Sequence, residues 1–109
     1  MKTYEINSDT NPVFLFAISD SLGRRINLLG LTVKFTAASK ADATEIAWSK
    51  KCDIANPSEG ACQAILSPED TKNPGDYIAE LWLGTEEIKR VTERFKIRIL
   101  RTITKDDEE

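Results

Sequence analysis

Hydrophobic and polar residues alternate with a period of two along most of the 109-residue chain. Residues 31–38 read LTVKFTAA, in which every second side chain is apolar from the leucine onward, as in a half-buried β-strand. The same alternation recurs in four further stretches, at residues 46–49, 62–66, 77–83 and 95–99. No stretch sustains the apolar repeat of about 3.6 residues that marks an amphipathic helix. The pattern therefore predicts strands.

Turn-forming residues separate these stretches at the spacing that an all-β domain needs. The candidate turns, rich in glycine, proline or polar residues, lie at residues 20–23, 56–60, 67–71 and 84–87. About seven strands in one chain of this length predict an all-β fold, an immunoglobulin-like antiparallel β-sandwich. A small β-barrel is the alternative architecture.

The length of the chain is that of one domain with a single hydrophobic core. We expect residues 1–104 to form the sandwich and residues 105–109 to form a short acidic tail. The formal net charge is −3, and residues 106–109 contribute four negative charges, so the rest of the chain carries +1. A nearly neutral body without a basic stripe predicts no binding to nucleic acid.

The hydrophobic runs are too short for a membrane protein. The longest, residues 13–18, has the length of a strand and is far below the roughly 20 residues that span a bilayer. The first five residues, MKTYE, lack the basic region and apolar stretch of a signal peptide. We therefore expect no membrane partner and a chain that is made and assembled in the cytoplasm.

The side chains that most often perform catalysis or bind metals are scarce. The sequence has no histidine, which is the commonest general base near neutral pH and the commonest metal ligand. Its two cysteines cannot supply the four ligands of a structural zinc site. Most acidic residues fall in predicted turns, and none follow the D-x-D-x-D spacing of a calcium loop. We expect no enzyme activity, no catalytic residue, no cofactor and no metal.

Cys52 and Cys62 flank the predicted turn at residues 56–60, and a hairpin there would bring them close together. A disulfide requires Cα atoms within roughly 7 Å of each other. Cytoplasmic assembly instead keeps thiols reduced, and free cysteines commonly behave as small buried hydrophobic residues. The sequence leaves both possibilities open.

Four apolar residues are candidates for contact with a partner. Alternation along residues 77–83 turns Ile78 and Trp82 outward, and exposed tryptophans often anchor interfaces; shielding of Trp82 by a loop or by long basic side chains is the alternative. Residues 13–18 are apolar on both faces of the strand. We expect Phe14 and Phe16 to face outward there, with burial beneath residues 4–6 as the alternative.

Gly75 and Tyr77 mark a predicted corner where a loop enters a strand. In antibody-type domains a tyrosine at such a corner bonds through its hydroxyl to backbone nearby in sequence. We predict that Tyr77 fixes the crossover at residues 68–74 and performs no chemistry.

The last predicted strand has an outward basic row. Its members are Arg94, Lys96, Arg98 and Arg101. A charged strand is usually solvated and protects a sheet edge. The alternative is a docking surface for an acidic neighbour, including residues 106–109 of another copy.

Three stretches, taken in order, resemble a known family. Asp9-Thr10 lies near the start, residues 20–35 read DSLGRRINLLGLTVKF, and residues 60–80 contain Asp70-Thr71 followed by Gly75-Asp76-Tyr77. Over about residues 3–100 the chain is similar to the N-terminal immunoglobulin-like domain of phage baseplate upper proteins. Ser8 and Leu29 depart from that family's pattern, which has glycine and threonine there.

The resemblance implies a function that composition alone does not. It implies a non-enzymatic bacteriophage virion protein, structural or accessory, in the tail, baseplate, neck, head fibre or capsid decoration. Its partners would be other virion proteins and copies of itself. Baseplate upper proteins continue into further domains, so a single domain implies a stand-alone version. The alternative is a recognition module that binds a carbohydrate or protein on the host surface.

Overall fold

The computed structural model describes residues 2–41, 44–85 and 89–102, which form strands joined by loops and one short 3₁₀ turn. The strands are β1 (Thr3–Asn7), β2 (Val13–Ala17), β3 (Thr32–Ser39), β4 (Ile46–Lys51), β5 (Asp53–Asn56), β6 (Ala61–Ile65), β7 (Gly75–Gly84) and β8 (Lys89–Leu100), and the 3₁₀ turn is Pro57–Glu59. Within those ranges no helix has the length and hydrophobicity needed to cross a membrane. The predicted all-β class is confirmed, and the predicted tail at residues 105–109 lies outside the described residues.

The strands form two sheets that pack as a sandwich. The five-stranded sheet has the order β1-β8-β7-β3-β4, and the three-stranded sheet has the order β2-β6-β5. All paired neighbours are antiparallel except β1 and β8, which run parallel. The alternation of side chains predicts that a strand exists but not its direction. The parallel pair, between the first and last strands, was therefore not predictable.

Aromatic rings fill the space between the two sheets. Phe35 of β3 is fully buried, and its ring centroid lies 4.9 Å from Phe14, 5.6 Å from Trp48 and 5.9 Å from Phe95. These rings come from both sheets, since Phe14 belongs to β2 and the others to the five-stranded sheet. Phe35 therefore joins the two layers at the centre of the core.

The expected outward orientation of Phe14 and Phe16 is wrong. Phe14 is only 8% exposed, Phe16 packs against the core, and Tyr4 covers Phe14 edge-on with ring centroids 6.1 Å apart. The exposed residues of β2 are Val13, Leu15 and Ala17. Because both parities of this strand are apolar, alternation could not choose between them. The larger aromatic side chains gain more from burial and occupy the inner face.

The connection from β6 to β7 is held by a polar network around Asp70. Its Oδ2 accepts hydrogen bonds from the Ser67 backbone N–H (2.8 Å) and hydroxyl (2.9 Å) and pairs with the Lys50 ammonium (2.9 Å). Burial alone would raise the pKa of the Asp70 carboxyl, but hydrogen bonds from Ser67 and Lys50 lower it below its ordinary value. The carboxylate thus ties this connection to β4.

The next residue, Thr71, ties the same connection to the start of the chain. Its side chain is completely buried. Its hydroxyl donates to the Thr10 carbonyl and accepts from the Thr10 N–H, both at 3.1 Å. A buried hydroxyl with both functions satisfied is stabilising, whereas the same hydroxyl without partners would be costly.

Tyr77 begins the buried face of β7, two residues after Gly75, whose φ of +149° favours glycine. The Tyr77 hydroxyl donates a 2.6 Å hydrogen bond to the carbonyl of Asn73, four residues upstream. Burial raises the pKa of this hydroxyl, which keeps it protonated and able to donate. This contact supports the predicted role of Tyr77 at the corner. How much the contact stabilises the fold stays a prediction.

Replacing Tyr77 with phenylalanine is expected to lower the free energy of unfolding by about 1 kcal/mol, because the Asn73 carbonyl loses its partner while the ring stays in place. Urea denaturation monitored by tryptophan fluorescence measures the change. Tyr4→Phe is the matched control, since no hydrogen bond from the Tyr4 hydroxyl is found among the described residues; it should leave the midpoint unchanged. Equal changes in the free energy of unfolding for the two variants would contradict a stabilising role of the Tyr77 hydroxyl at the corner.

Candidate partner-binding surfaces

Ile78 and Trp82 lie on the outer face of the five-stranded sheet, alternating along β7 with buried residues. Both side chains are half-buried. Trp82 lies opposite Lys34 of β3 on one side and opposite Val91 of β8 on the other. The orientation agrees with the alternation in the sequence; contact of these residues with a partner stays a prediction.

A shallow groove of about 620 Å³ runs along this face beside Trp82. It is lined by Thr32, Lys34, Thr36, Lys51, Trp82, Leu83, Gly84 and Thr85. The groove therefore combines one large aromatic surface with hydroxyl groups and two ammonium groups. Such a combination can bind an apolar anchor together with polar or anionic groups from a partner.

The two lysines that line the groove are direct neighbours across the sheet. Lys34 of β3 and Lys51 of β4 occupy opposing positions, and both are exposed. Neither forms an ion pair with another residue in the described part of the chain. Like charges in opposing positions destabilise a sheet, so an anionic group placed over them would be favourable. Sequence reasoning missed this pair because it depends on the register between β3 and β4.

The basic row predicted on β8 is partly neutralised by its neighbours. Arg94 donates to Glu80 of β7 at 2.8 Å, and Arg98 donates to Asp76 of β7 at 3.0 Å. Arg98 also lies 3.6 Å from Glu5 of β1. The hydrogen bond to Asp76 and its charge raise the pKa of Arg98. The cross-strand pairs favour the solvated-strand interpretation over a free docking surface for an acidic neighbour.

A second apolar surface lies on the outer face of the three-stranded sheet. Val13 and Leu15 of β2 are 54% and 75% exposed, and Ile65 of β6, directly opposite Val13, is 52% exposed. Alternation along β2 does not single out this surface, because it leaves open which of the two apolar faces is outward and we expect the aromatic residues there. Once those rings are placed in the core, the same alternation brings Val13 and Leu15 to the outside.

Cys52 and Cys62 are both buried free thiols within the core cluster. A hydrogen bond with Cys62, together with burial, raises the pKa of the Cys52 thiol. A protonated, buried thiol such as that of Cys52 is a poor nucleophile. Of the two possibilities left open, the structure shows the second: both cysteines are free and pack as small hydrophobic residues in the core.

The described residues provide no geometry for a metal site. No three or more cysteine, aspartate or glutamate side chains converge within residues 2–41, 44–85 and 89–102.

The fold can be compared with solved structures. The N-terminal domain of phage TP901-1 ORF48 superimposes with a TM-score of 0.68 at 15% sequence identity, covering 89% of this chain and 83% of that one. The chain has the fold of that phage domain. The resemblance to this class of phage domain is thereby confirmed at the level of the fold. No family model and no curated protein matches the sequence.

Four of the residues that carried the resemblance have structural tasks in this fold. Asp70 and Thr71 hold the β6–β7 connection, and Gly75 and Tyr77 form the corner that follows it. These four residues do not line the groove beside Trp82, whereas Thr32 and Lys34, which belong to the resembling stretch at residues 20–35, do. The matched residues at 70–77 therefore serve the fold, while the matched stretch at residues 20–35 also contributes to the candidate surface beside Trp82.

Proposed function

We propose that this chain is a non-enzymatic structural or accessory component of a bacteriophage virion that works by packing against other virion proteins. Its place would be in the tail, baseplate, neck, head fibre or capsid decoration. The phage origin of the structural neighbour supports this role. The observation that carries it is the groove beside Trp82, an aromatic surface on a sheet face that no described element covers.

The sheet supports this surface rigidly. Trp82 is held by pairing of β7 with strands on both sides, so its position needs no rearrangement when a partner binds. Tryptophan is among the residues most often found to dominate interface energies, because it buries a large area at a low cost in side-chain entropy. Ile78 extends the apolar surface along the same strand, and Lys34 and Lys51 would pair with acidic groups at its rim.

Replacing Trp82 with alanine is expected to weaken docking on the particle by roughly 30-fold or more, since loss of such an anchor costs about 2 kcal/mol. The measurement is the number of copies of the protein in purified particles, determined by quantitative mass spectrometry after propagation with the variant. Leu29→Ala is the matched control, because Leu29 is 77% exposed in a loop and does not line the groove. Circular dichroism checks that both variants are folded. Normal incorporation of a folded Trp82→Ala protein would contradict the proposed surface.

A second candidate function is recognition of a carbohydrate or protein on the host surface. The observation that favours it is the presence of the Thr32 and Thr36 hydroxyls in the same groove as the Trp82 ring. An aromatic face with nearby polar groups suits a sugar ring, which has apolar faces and a hydroxyl rim. Glycan-array binding that Trp82→Ala removes, combined with normal incorporation of that variant into particles, would favour recognition over packing.

A further inference from the structure

The four edge strands of the two sheets differ in how they are protected. Edge strands usually carry charged residues that discourage pairing with another chain. Of the edges, β1 carries Glu5, β4 carries Lys50 and Lys51, and β5 carries Asp53. The fourth, β2, reads Val-Phe-Leu-Phe-Ala and has no charge. The unprotected edge is also the one whose exposed side chains are aliphatic.

The hydrogen-bond pattern shows which backbone groups of β2 are unused. Leu66 N–H donates to the Pro12 carbonyl (3.0 Å), and Ile18 N–H donates to the Gly60 carbonyl (2.9 Å). In an antiparallel pair, bonded positions alternate with positions whose groups point away from the partner strand. The even-numbered residues of β2 therefore bond to β6. The N–H and C=O groups of Val13, Leu15 and Ala17 point to the open edge, where no described residue bonds to them.

We propose that two copies of this chain pair through β2, antiparallel and about a two-fold axis, with Leu15 opposite Leu15 of the second copy. Val13 then lies opposite Ala17 of the second copy, and all three outward positions exchange hydrogen bonds. In a register shifted by one residue, the unbonded backbone groups of one copy would face backbone groups of the second copy that already bond to β6. A shift by two would leave one outward position unpaired. The two three-stranded sheets become one six-stranded sheet.

The charge pattern favours a second copy over an acidic or basic partner. Residues 10–19 contain no charged side chain, so a two-fold axis at Leu15 brings no like charges together within the paired segment. A strand pairing with itself across a two-fold axis needs only one segment that is complementary to itself. The aliphatic surface of Val13, Leu15 and Ile65 in each copy then continues across the axis on one face of the joined sheet.

The size of the contact sets the expected strength. One five-residue strand and its flanking side chains in each copy form an interface below the roughly 1,200 Å² of stable complexes. We therefore expect a concentration-dependent dimer in solution, strengthened where copies are held close together. This contact is made by the three-stranded sheet, whereas the Trp82 groove lies on the five-stranded sheet. An experiment can therefore refute the β2 pairing without refuting the role of the groove, and the reverse.

The test is sedimentation equilibrium of the purified chain over a wide concentration range, combined with hydrogen exchange at individual amides. The wild type is expected to show a monomer–dimer equilibrium. Protection of the Leu15 amide should increase with concentration, because that N–H has no bond in the monomer. Leu15→Lys places two ammonium groups at the axis, and Leu15→Pro removes the central donor without disturbing the β6 ladder. Each variant should weaken dimerisation at least tenfold.

The controls separate pairing from folding and from general hydrophobicity. Leu29→Lys changes an equally exposed leucine in a loop and should dimerise as the wild type does. A wild type that stays monomeric at the highest concentration overturns the proposal. So does a dimer in which the Leu15 amide stays unprotected, or one that folded Leu15→Lys leaves unchanged. The hydrogen-exchange readout on the wild type tests the proposal even if a variant fails to fold.

Discussion

Replacing Gly60 with alanine is expected to lower the free energy of unfolding by about 3 kcal/mol, because two costs act at one position. Gly60 has a φ of +67°, a region that L side chains rarely adopt. Its Cβ would also overlap the carbonyl oxygen of Ile18 and lie 3.0 Å from that of Ile26. The backbone is crowded here because Ile18 donates to Gly60 and its own carbonyl accepts from Ile26. Backbone atoms cannot move aside as a flexible side chain can.

Gly30 provides the matched control for this prediction. Its φ of +79° is similar, but an added Cβ would meet no atom within 4 Å. Gly30→Ala should therefore show only the conformational cost, about 1 kcal/mol. Urea denaturation of both variants gives the two values. Equal losses would show that the close approach of the three backbone segments at Gly60 has no energetic weight.

Replacing Phe35 with alanine is expected to lower the free energy of unfolding by about 4 kcal/mol, since the substitution leaves a cavity in a fully buried position. The loss should be large because this ring contacts aromatic residues from both sheets. Thermal or urea denaturation monitored by circular dichroism measures it.

Leu22→Ala is the control for Phe35→Ala, because Leu22 is 74% exposed and should change the free energy of unfolding by less than about 0.5 kcal/mol. A Phe35→Ala protein that loses no more than about 1 kcal/mol would mean that the two sheets are not joined at this ring. The packing that defines the sandwich would then have to be revised.

The sequence predicted the fold where one face of a strand was distinctly polar. Along β7, Asp76 and Glu80 alternate with buried residues, and the orientation of Trp82 followed correctly. On β2 both faces are apolar, so Phe14 and Phe16 were placed on the wrong side. Choosing between two apolar faces requires knowing what the opposite sheet offers, here the ring of Phe35, and that information is not local.

The candidate surfaces were predictable only in part, for a similar reason. A single exposed tryptophan can be read from alternation. Lys34 and Lys51 are neighbours only because of the register between β3 and β4. The edge of β2 is open because β2 lies at one end of its sheet. Sheet order is set by contacts distant in sequence, so a period-two pattern alone does not contain it.

Locating this chain in purified particles tests whether it is built into a virion. Particles of a phage that encodes the chain are purified on a density gradient, analysed by quantitative mass spectrometry and reconstructed by cryo-electron microscopy. We expect a fixed number of copies per particle, with density for the two-sheet domain contacting neighbouring subunits. Purified particles that lack the protein, while infected cells contain it in quantity, would contradict the account.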